Sequence, residues 1–236
     1  MKLSVIVPAY NEERTINTIL QRVANVKLLD DTKLELIVVN DCSTDRTAEQ
    51  ILAYRQANPT VCVLYLEHNI NRGKGYAIRT GIQAATGDFI IVQDADLEYD
   101  PDEFNVLLRP ALRGVADVVY GSRFMGGRPH RILFFWHTIG NKFLTFFSNL
   151  MNNLNLTDME TCYKLFRASI VKGIELKEDR FGFEPEVTAK LAKLPGIRIY
   201  EVGISYYGRT YEEGKKINWR DGFRAIYCIF RYGAFS

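Results

Sequence analysis

The chain has 236 residues, enough for one large α/β domain or two small ones. Hydrophobic residues make up 47% and charged residues 25% of it, which excludes a disordered, fibrous or coiled-coil protein. Thirty Lys and Arg against 28 Asp and Glu give a net charge of +2. So small an excess argues against a dedicated nucleic-acid binder, and we expect no nucleic-acid partner.

The first half of the chain alternates strand and helix signals. Continuous apolar runs without helical periodicity predict strands at 3–7, 34–39, 61–67, 89–93 and 115–121. Helices are predicted from Asn11 to about 24, from Ser43 or Thr44 to just before Pro59, at 73–85 and at 102–112. Strands that are apolar throughout and alternate with helices predict a mostly parallel sheet with helices on both faces.

The second half is less regular. Apolar and aromatic residues three and four apart predict a long helix at 132–156, followed by a strand at 197–204 and an amphipathic segment at 219–232. The aromatic face of the long helix, flanked by Arg131 and Lys142, either packs in the core or lies on a membrane and meets a lipid tail. Without repeats or linkers, a single domain over 1–236 with an elaborated C-terminal part is expected.

Location is predicted from the cysteines and the apolar segments. Four widely spaced cysteines without a Cys-x-x-Cys pair read as free thiols of a reducing compartment. The apolar stretch at the amino terminus is too short for a signal peptide. The sequence has no run of about 18 uncharged apolar residues, so we predict no membrane span. We therefore predict a cytoplasmic protein, with contact to the inner face of the membrane as an open hypothesis.

Ligands of such sheets bind at the carboxyl ends of the strands, and the strongest motif lies at one of them. Asp94 and Asp96 are separated by one residue where a strand ends, so both carboxylates can face the same way. Glu98 extends the set. Oxygen ligands of this kind suit Mg²⁺ or Mn²⁺ held together with substrate phosphates; a solvated acidic turn is the alternative.

Two further strand ends carry polar residues. Helix capping explains Ser43 and Thr44 but not Asp41, whose carboxylate can accept hydrogen bonds from a base or a ribose. The segment Asn-Arg-Gly-Lys-Gly at 71–75 opens a helix, where glycines permit close backbone approach and the helix terminus favours anions. It is not a Walker A loop, which requires Gly-x-x-x-x-Gly-Lys-Ser/Thr.

Five motifs occur in order: PAYNEE at 8–13, NDCSTDRT at 40–47, NRGKG at 71–75, DADLE at 94–98 and GSRF at 121–124. Together they resemble family 2 glycosyltransferases, specifically the dolichol-phosphate mannose synthase-like branch, over nearly the whole chain. The resemblance implies a Rossmann-like GT-A fold, a nucleotide-sugar-binding half at 1–125 and an acceptor half at 126–236. It also implies an inverting reaction.

The resemblance also assigns roles to individual residues. The family often has Gln at the position of Glu98 and Asp-Asp-Gly-Ser around Asp41, so Asn40 and Cys42 depart from it, and Cys42 lacks glycine's backbone freedom. Arg209 belongs to a late segment that closes over the diphosphate, and it is the expected residue for stabilising leaving-group charge. The expected nucleotide-sugar-binding residues are Pro8, Tyr10, Asn11, Glu12, Asp41, Arg72, Lys74, Asp94 and Lys216; the Mg²⁺ or Mn²⁺ ligands Asp94, Asp96 and Glu98; the catalytic residues Asp96 and Arg209; the acceptor-binding residues Arg123 and Arg131.

The expected function is transfer of a hexose from a donor of the GDP-mannose or UDP-glucose type to polyprenyl or dolichyl phosphate. A phosphate monoester is largely dianionic at neutral pH, so it needs no strong general base. A glycan hydroxyl acceptor is the first alternative and would need a base, with Asp158, Glu184 and Glu186 as candidates. A sugar-nucleotide-binding protein without turnover is the second. Because Gly-x-Gly-x-x-Gly is missing after the first strand, a dinucleotide oxidoreductase is disfavoured.

Overall fold

One seven-stranded sheet, ordered β3-β2-β1-β4-β6-β5-β7, runs through the protein. The structure is a computed structural model that describes residues 1–132, 134–210 and 219–234. Neighbouring strands are parallel except β6, which runs antiparallel to both β4 and β5. The strands are β1 (Lys2–Ala9), β2 (Lys33–Asn40), β3 (Val63–Glu67), β4 (Phe89–Val92), β5 (Val118–Ser122), β6 (Lys164–Arg167) and β7 (Ile199–Gly203).

Helices cover the sheet on both faces. All five residues at 3–7 of β1 are fully buried, and since successive side chains of a strand point to opposite faces, both faces are covered. The predicted α/β fold with a mostly parallel sheet is therefore confirmed. The helices are α1 (Ile16–Asn25), α2 (Thr47–Ala57), α3 (Lys74–Ala84), α4 (Phe104–Leu112), α5 (Phe135–Asn152), α6 (Ala168–Lys172), α7 (Phe183–Ala192) and α8 (Trp219–Ala234).

The register of the central strands brings three polar loops to one edge. Ala9 at the end of β1 pairs with Asn40 at the end of β2, and Ile6 pairs with Val92 at the end of β4. Helix α3 lies against β1 so closely that a Cβ on Gly81 would overlap the side chain of Ile6. The loops after β1, β2 and β4, and the start of α3, consequently converge at this edge.

The predicted caps of the first two helices are wrong. Helix α1 begins at Ile16 rather than after Asn11, which has a left-handed backbone (φ +53°). Asn11 instead accepts a hydrogen bond through Oδ1 from the Thr44 amide at 2.8 Å, and its own amide donates to Ser43 Oγ at 3.0 Å. These side chains tie the loops after β1 and β2 together, because short polar side chains bond nearby backbone as readily as a helix end.

Three elements of the second half were not predicted: β6, α6 and α7. Strand β6 has four residues and includes the buried Lys164, so it lacks an apolar run. The first turn of helix α7 contains Glu184 and Glu186, which are buried although residues of their type are usually exposed. Helix α5 corresponds to the long helix predicted at 132–156. It ends before Asn153, whose backbone is left-handed (φ +52°).

Among the residues that the structure describes, no helix has the length and apolar content needed to cross a membrane. All four cysteines are free thiols.

Candidate active site

A cavity of about 1200 Å³ opens at the carboxyl ends of β1, β2 and β4 and extends under α5 and α8. It gathers most of the predicted site residues. Those in its lining are Pro8, Tyr10, Glu12, Asp41, Lys74, Asp94, Asp96, Glu98, Arg123, Arg131 and Arg209. Asn11 and Arg72 lie beside the lining, and Lys216 falls outside the described residues.

Asp41 organises the first turn of α3. Its buried carboxylate accepts hydrogen bonds from the Gly73 amide at 2.6 Å, the Arg72 amide at 3.1 Å and His68 Nδ1 at 2.7 Å. The backbone carbonyl of Asp41 accepts another from Asn71 Nδ2 at 3.2 Å. Asp41 therefore fixes the 71–73 turn, a role that the sequence did not indicate; its predicted contact with the nucleoside stays a prediction.

Cys42, directly after Asp41, has a left-handed backbone with φ +60°. For a residue with a Cβ this conformation costs about 1–2 kcal/mol. The position is the one where the family pattern has glycine, so the expected loss of backbone freedom appears as local strain.

The glycines at the start of α3 serve protein packing. Gly73 has φ +100°, and a Cβ on Gly75 would lie 2.5 Å from the carbonyl oxygen of Glu178. We expected these glycines to permit close approach of a ligand; what approaches closely is the backbone of residues 178–180. The guanidinium of Arg72 stacks on the Tyr76 ring at 3.5 Å and does not point into the cavity lining.

Acidic and basic side chains form ion pairs at the end of β4. Lys74 Nζ lies 2.9 Å from Asp94 Oδ1. Arg209 donates to Asp96 Oδ2 at 2.7 Å and to Glu98 Oε1 at 3.1 Å, and Tyr206 donates to Glu98 Oε2 at 2.7 Å. Both oxygens of Glu98 thus accept hydrogen bonds from residues more than 100 positions away in the chain.

The donor set fits a divalent cation bound mainly by Asp94 and Asp96. Burial, together with the nearby charges of Asp94 and Glu98, raises the pKa of Asp96 to about 7; a cation would relieve this repulsion. Within 1–132, 134–210 and 219–234, no three carboxylates, imidazoles and thiolates converge as a ready-made metal cluster. The arrangement suits an ion that keeps one or two carboxylate ligands and takes the rest from substrate phosphates. Glu98 accepts hydrogen bonds from Arg209 and Tyr206, and its predicted role as a third metal ligand stays a prediction.

The bases proposed for the acceptor differ in their partners. Arg123 forms two parallel hydrogen bonds with Asp158, at 2.7 and 2.8 Å, and stands over the Tyr206 ring at 5.1 Å. Arg131 is exposed and donates from its guanidinium to the Gly208 carbonyl at 3.0 Å. Both line the cavity, Arg123 as part of a buried ion pair and Arg131 at the surface.

Two further acids lie behind Asp94. The sequence analysis named Glu184 only as a possible base and did not identify Glu160. Glu184 Oε1 lies 3.5 Å from Lys74 Nζ, and burial and the nearby Glu184 charge raise the pKa of Glu160 to about 8. In the described part of the chain, Glu184 Oε2 and Glu160 Oε1 have no hydrogen-bond partner. Both residues line the cavity. The acidic Glu160 next to buried Thr161 gave no pattern by which to find it.

Helix α5 exposes its aromatic face. Trp136, Phe143 and Leu150 are 78%, 55% and 67% exposed, and Trp136 lies at the cavity wall. Phe223, Tyr227 and Phe230 form an exposed stripe on α8, which packs against α5. The alternative that the α5 aromatic face packs in the core is wrong for these residues. Exposed apolar patches of this kind mark interaction surfaces.

With this geometry established, comparison with known proteins identifies the family. The sequence matches the family described as glycosyl transferase family 2 over residues 4–174, well over half of the chain. The chain belongs to glycosyl transferase family 2. The predicted family and its glycosyltransferase class are thereby confirmed.

Individual relatives agree with the family. An undecaprenyl-phosphate mannosyltransferase of Micrococcus luteus is 30% identical over 242 residues, which cover 99% of this chain and 94% of that protein. A dolichol-phosphate mannosyltransferase of Pyrococcus furiosus is 27% identical over 98% of this chain, which spans 64% of that protein.

The solved structures agree on the fold. Glucosyl-3-phosphoglycerate synthase from Mycobacterium tuberculosis, crystallised with Mn²⁺, UDP-glucose and phosphoglyceric acid, superposes with a TM-score of 0.74 at 18% identity. The superposition covers 100% of this chain and 80% of that protein. The predicted GT-A fold is confirmed.

Proposed function

We propose that the protein is an inverting, metal-dependent glycosyltransferase that moves a hexose from a nucleotide sugar to a polyprenyl phosphate. The observation that carries this proposal is that the carboxylates after β4 and an exposed aromatic helix line the same cavity. The names of the Micrococcus and Pyrococcus relatives, both mannosyltransferases acting on lipid phosphates, support the acceptor class.

The donor fits the end of the cavity formed by the first half of the chain. Pro8, Tyr10, Glu12 and Asp41 line the side next to β1 and β2, where the nucleoside would lie. Mg²⁺ or Mn²⁺ held by Asp94 and Asp96 would supply charge neutralisation at the diphosphate. Lys74, paired with Asp94, lies at the start of α3, which is electropositive. Arg209 would stabilise the charge that develops on the leaving diphosphate.

The acceptor fits the end formed by the second half. Arg131 and Arg123 line the cavity between the carboxylates and α5, and the phosphate of a lipid would bind there. Trp136 and the exposed face of α5 would contact the hydrocarbon chain at a membrane surface. Because a phosphate dianion is already nucleophilic, the transfer needs no side-chain base. The protein would then act at the cytoplasmic face of the membrane.

A glycan hydroxyl remains the second candidate acceptor because one base is available. Asp158 is bound to Arg123, and Glu186 accepts hydrogen bonds from the amides of Lys177 and Glu178. Glu184 alone of the three predicted bases lines the cavity and keeps an oxygen without a partner among the described residues. It would take the proton of a hydroxyl acceptor.

The test is product formation with radiolabelled GDP-mannose and UDP-glucose, each with a short-chain polyprenyl phosphate or an oligosaccharide, with and without Mn²⁺. We expect an organic-extractable product that EDTA abolishes and that Asp94→Asn lacks. Asp102→Asn, an exposed acid a few residues further along the chain, is the matched control and should keep wild-type activity. A product on the oligosaccharide alone would establish the hydroxyl reading, and donor binding without any product would establish a binding protein.

A further inference from the structure

We propose that a second cavity, between α7 and α8, binds the phosphate-bearing headgroup of an anionic phospholipid. This cavity has a volume of about 770 Å³ and is closed on its third side by residues 173–177. None of its lining residues belongs to the candidate active site. The inference rests on the proposed function in one respect, since it requires the protein to meet a membrane.

Basic residues outnumber acidic ones by four to one in the lining of the cavity. Lys177, Lys190, Lys193 and Arg231 line it, against a single acidic lining residue, Glu175. Lys190 is paired with the buried Glu186 at 2.6 Å and is the most neutralised of the four. The positive charge available to a ligand comes mainly from Lys177 and Arg231.

Lys193 and Arg231 each donate a hydrogen bond to an uncharged oxygen of α8. Lys193 Nζ donates to the backbone carbonyl of Tyr232 at 2.7 Å, and Arg231 donates to the hydroxyl of Tyr227 at 2.7 Å. Lys177 lies 3.4 Å from Glu175, whose side chain is itself largely in solvent. A phosphate can approach Lys177 and Arg231 without displacing a buried carboxylate, and it gains charge-assisted hydrogen bonds.

The aromatic residues of the lining belong to α8 and continue its exposed surface. Tyr227 and Phe230 line the second cavity, and with Phe223 they form the exposed stripe of that helix. The beginning of the same helix, at Asp221 and Gly222, lines the active-site cavity. One helix thus joins the basic cavity to the surface proposed to meet the lipid acceptor.

This continuity selects a membrane lipid over a soluble anion. A headgroup in the second cavity would place its acyl chains beside Tyr227 and Phe230, which belong to the exposed stripe of α8. Basic residues beside an amphipathic helix attract anionic lipids, each contributing about fivefold in binding. Binding there would fix the orientation of the active-site cavity at the membrane.

The experiment compares vesicle binding of two double variants. Wild type, Lys177→Gln/Arg231→Gln and the control Arg55→Gln/Arg113→Gln are mixed with vesicles of phosphatidylcholine alone or with 30% phosphatidylglycerol, roughly the anionic content of a charged membrane. Arg55 and Arg113 are exposed bases that line neither cavity, so the control removes the same charge. Transfer to a short, water-soluble acceptor is measured in parallel and should be equal in all three proteins.

We expect the cavity variant to lose at least about tenfold in binding to the anionic vesicles and the control less than about twofold. Equal losses in both variants, or none in either, would overturn the site. Displacement of wild type from vesicles by inorganic phosphate, beyond the effect of chloride at equal ionic strength, would assign the cavity to a soluble phosphate. If wild type shows no transfer, the proposed function is contradicted. The vesicle result still tests the lipid site on its own.

Discussion

Two regions of the same sheet edge handle their polar groups in opposite ways. In the loops after β1 and β2 the polar groups satisfy one another, as when the Glu12 and Glu13 amides donate to Thr47 Oγ1 and to Asp45. At the end of β4 and behind it, carboxylates outnumber cations. The carboxylates there are Asp94, Asp96, Glu98, Glu160 and Glu184, and the cations are Lys74, Lys164 and Arg209.

The two regions differ in how their surroundings shift the pKa values of the carboxylates, which distinguishes structural residues from those of the candidate site. Hydrogen bonds from Thr47 outweigh the effect of burial and lower the pKa of Asp45, whereas burial and like charge raise the pKa values of Asp96 and Glu160. A carboxylate stabilised by its neighbours favours the folded state, and one that is strained by them marks a place where a ligand or cation completes the set.

The sharpest way to break this comparison is to remove one acid from each region. Asp96→Asn should reduce transfer by about 10²–10³-fold, because the charge on the donor diphosphate loses its counter-ion site. Its free energy of unfolding at pH 8 should not fall, since a raised pKa means that charged Asp96 costs stability above about pH 7.

Asp45→Asn is the matched variant. It should keep transfer within about threefold and lose about 1 kcal/mol of stability, because its hydrogen bonds with Thr47 weaken. Steady-state kinetics and urea unfolding measure both quantities. Equal loss of activity in the two variants would contradict the division into scaffold and site.

Arg209→Gln tests the cation that bridges Asp96 and Glu98. We expect transfer to fall about 10–100-fold through kcat, because the side chain acts on charge that develops in the transition state. Arg113→Gln, at an exposed position after α4, should retain full activity. A pure rise in KM for the donor would instead make Arg209 a ground-state binding residue.

Glu35 extends the comparison to the opposite end of the sheet. Burial alone would raise its pKa, but hydrogen bonds from Ser4, Thr86 and Lys2 lower it to about 2. The charged form therefore stabilises the fold above about pH 4.5, and this contribution is lost as pH falls toward 2. Glu35→Gln should lower the free energy of unfolding by about 1–3 kcal/mol at pH 7. It should also flatten the pH dependence of stability between pH 4.5 and 2, without changing the transfer activity.

Urea unfolding at a series of pH values measures this effect, with the exposed Glu49→Gln as control. An unchanged pH dependence in Glu35→Gln would contradict the assigned hydrogen-bond network.

The smallest expected effect concerns Cys42. Cys42→Gly should stabilise the protein by about 0.5–1 kcal/mol, since relief of the left-handed strain exceeds the added entropy of the unfolded chain. Cys62→Gly, at an exposed cysteine whose φ is not positive, should destabilise by a similar amount. Thermal unfolding of both variants decides; a loss of stability in Cys42→Gly would show that the turn tolerates the side chain without strain.

Much of the fold was predictable because the first half follows simple periodicities. Buried parallel strands read as apolar runs, and their ends place Asp41 and Asp94 at one edge whatever the details of the loops. The family motifs supplied Arg209, whose meeting with Asp96 depends on a chain path of more than 100 residues that no local pattern encodes.

The rest was unpredictable for physical reasons. Lys164 lies in a short strand and is buried near Glu160 and Glu184, so the usual exposure of charged residues gave the wrong signal. Asn11 and Ser43 are good helix caps by type, and only the distance between two loops decides that they bond each other instead. The exposed side of α5 could not be told from a core-facing one, since an aromatic helix face is usually buried, whereas the residues that α5 buries are Thr145 and Ser148.

Binding of Mn²⁺ in the presence and absence of GDP or UDP tests the central claim most directly. Electron paramagnetic resonance of the free ion should show Mn²⁺ bound by wild type and bound more tightly with the nucleotide present. Asp94→Asn and Asp96→Asn should each weaken this binding by at least about tenfold, while Asp102→Asn should not change it. Wild-type affinity in both site variants would contradict the assignment of the carboxylates after β4 to the cation and the donor diphosphate.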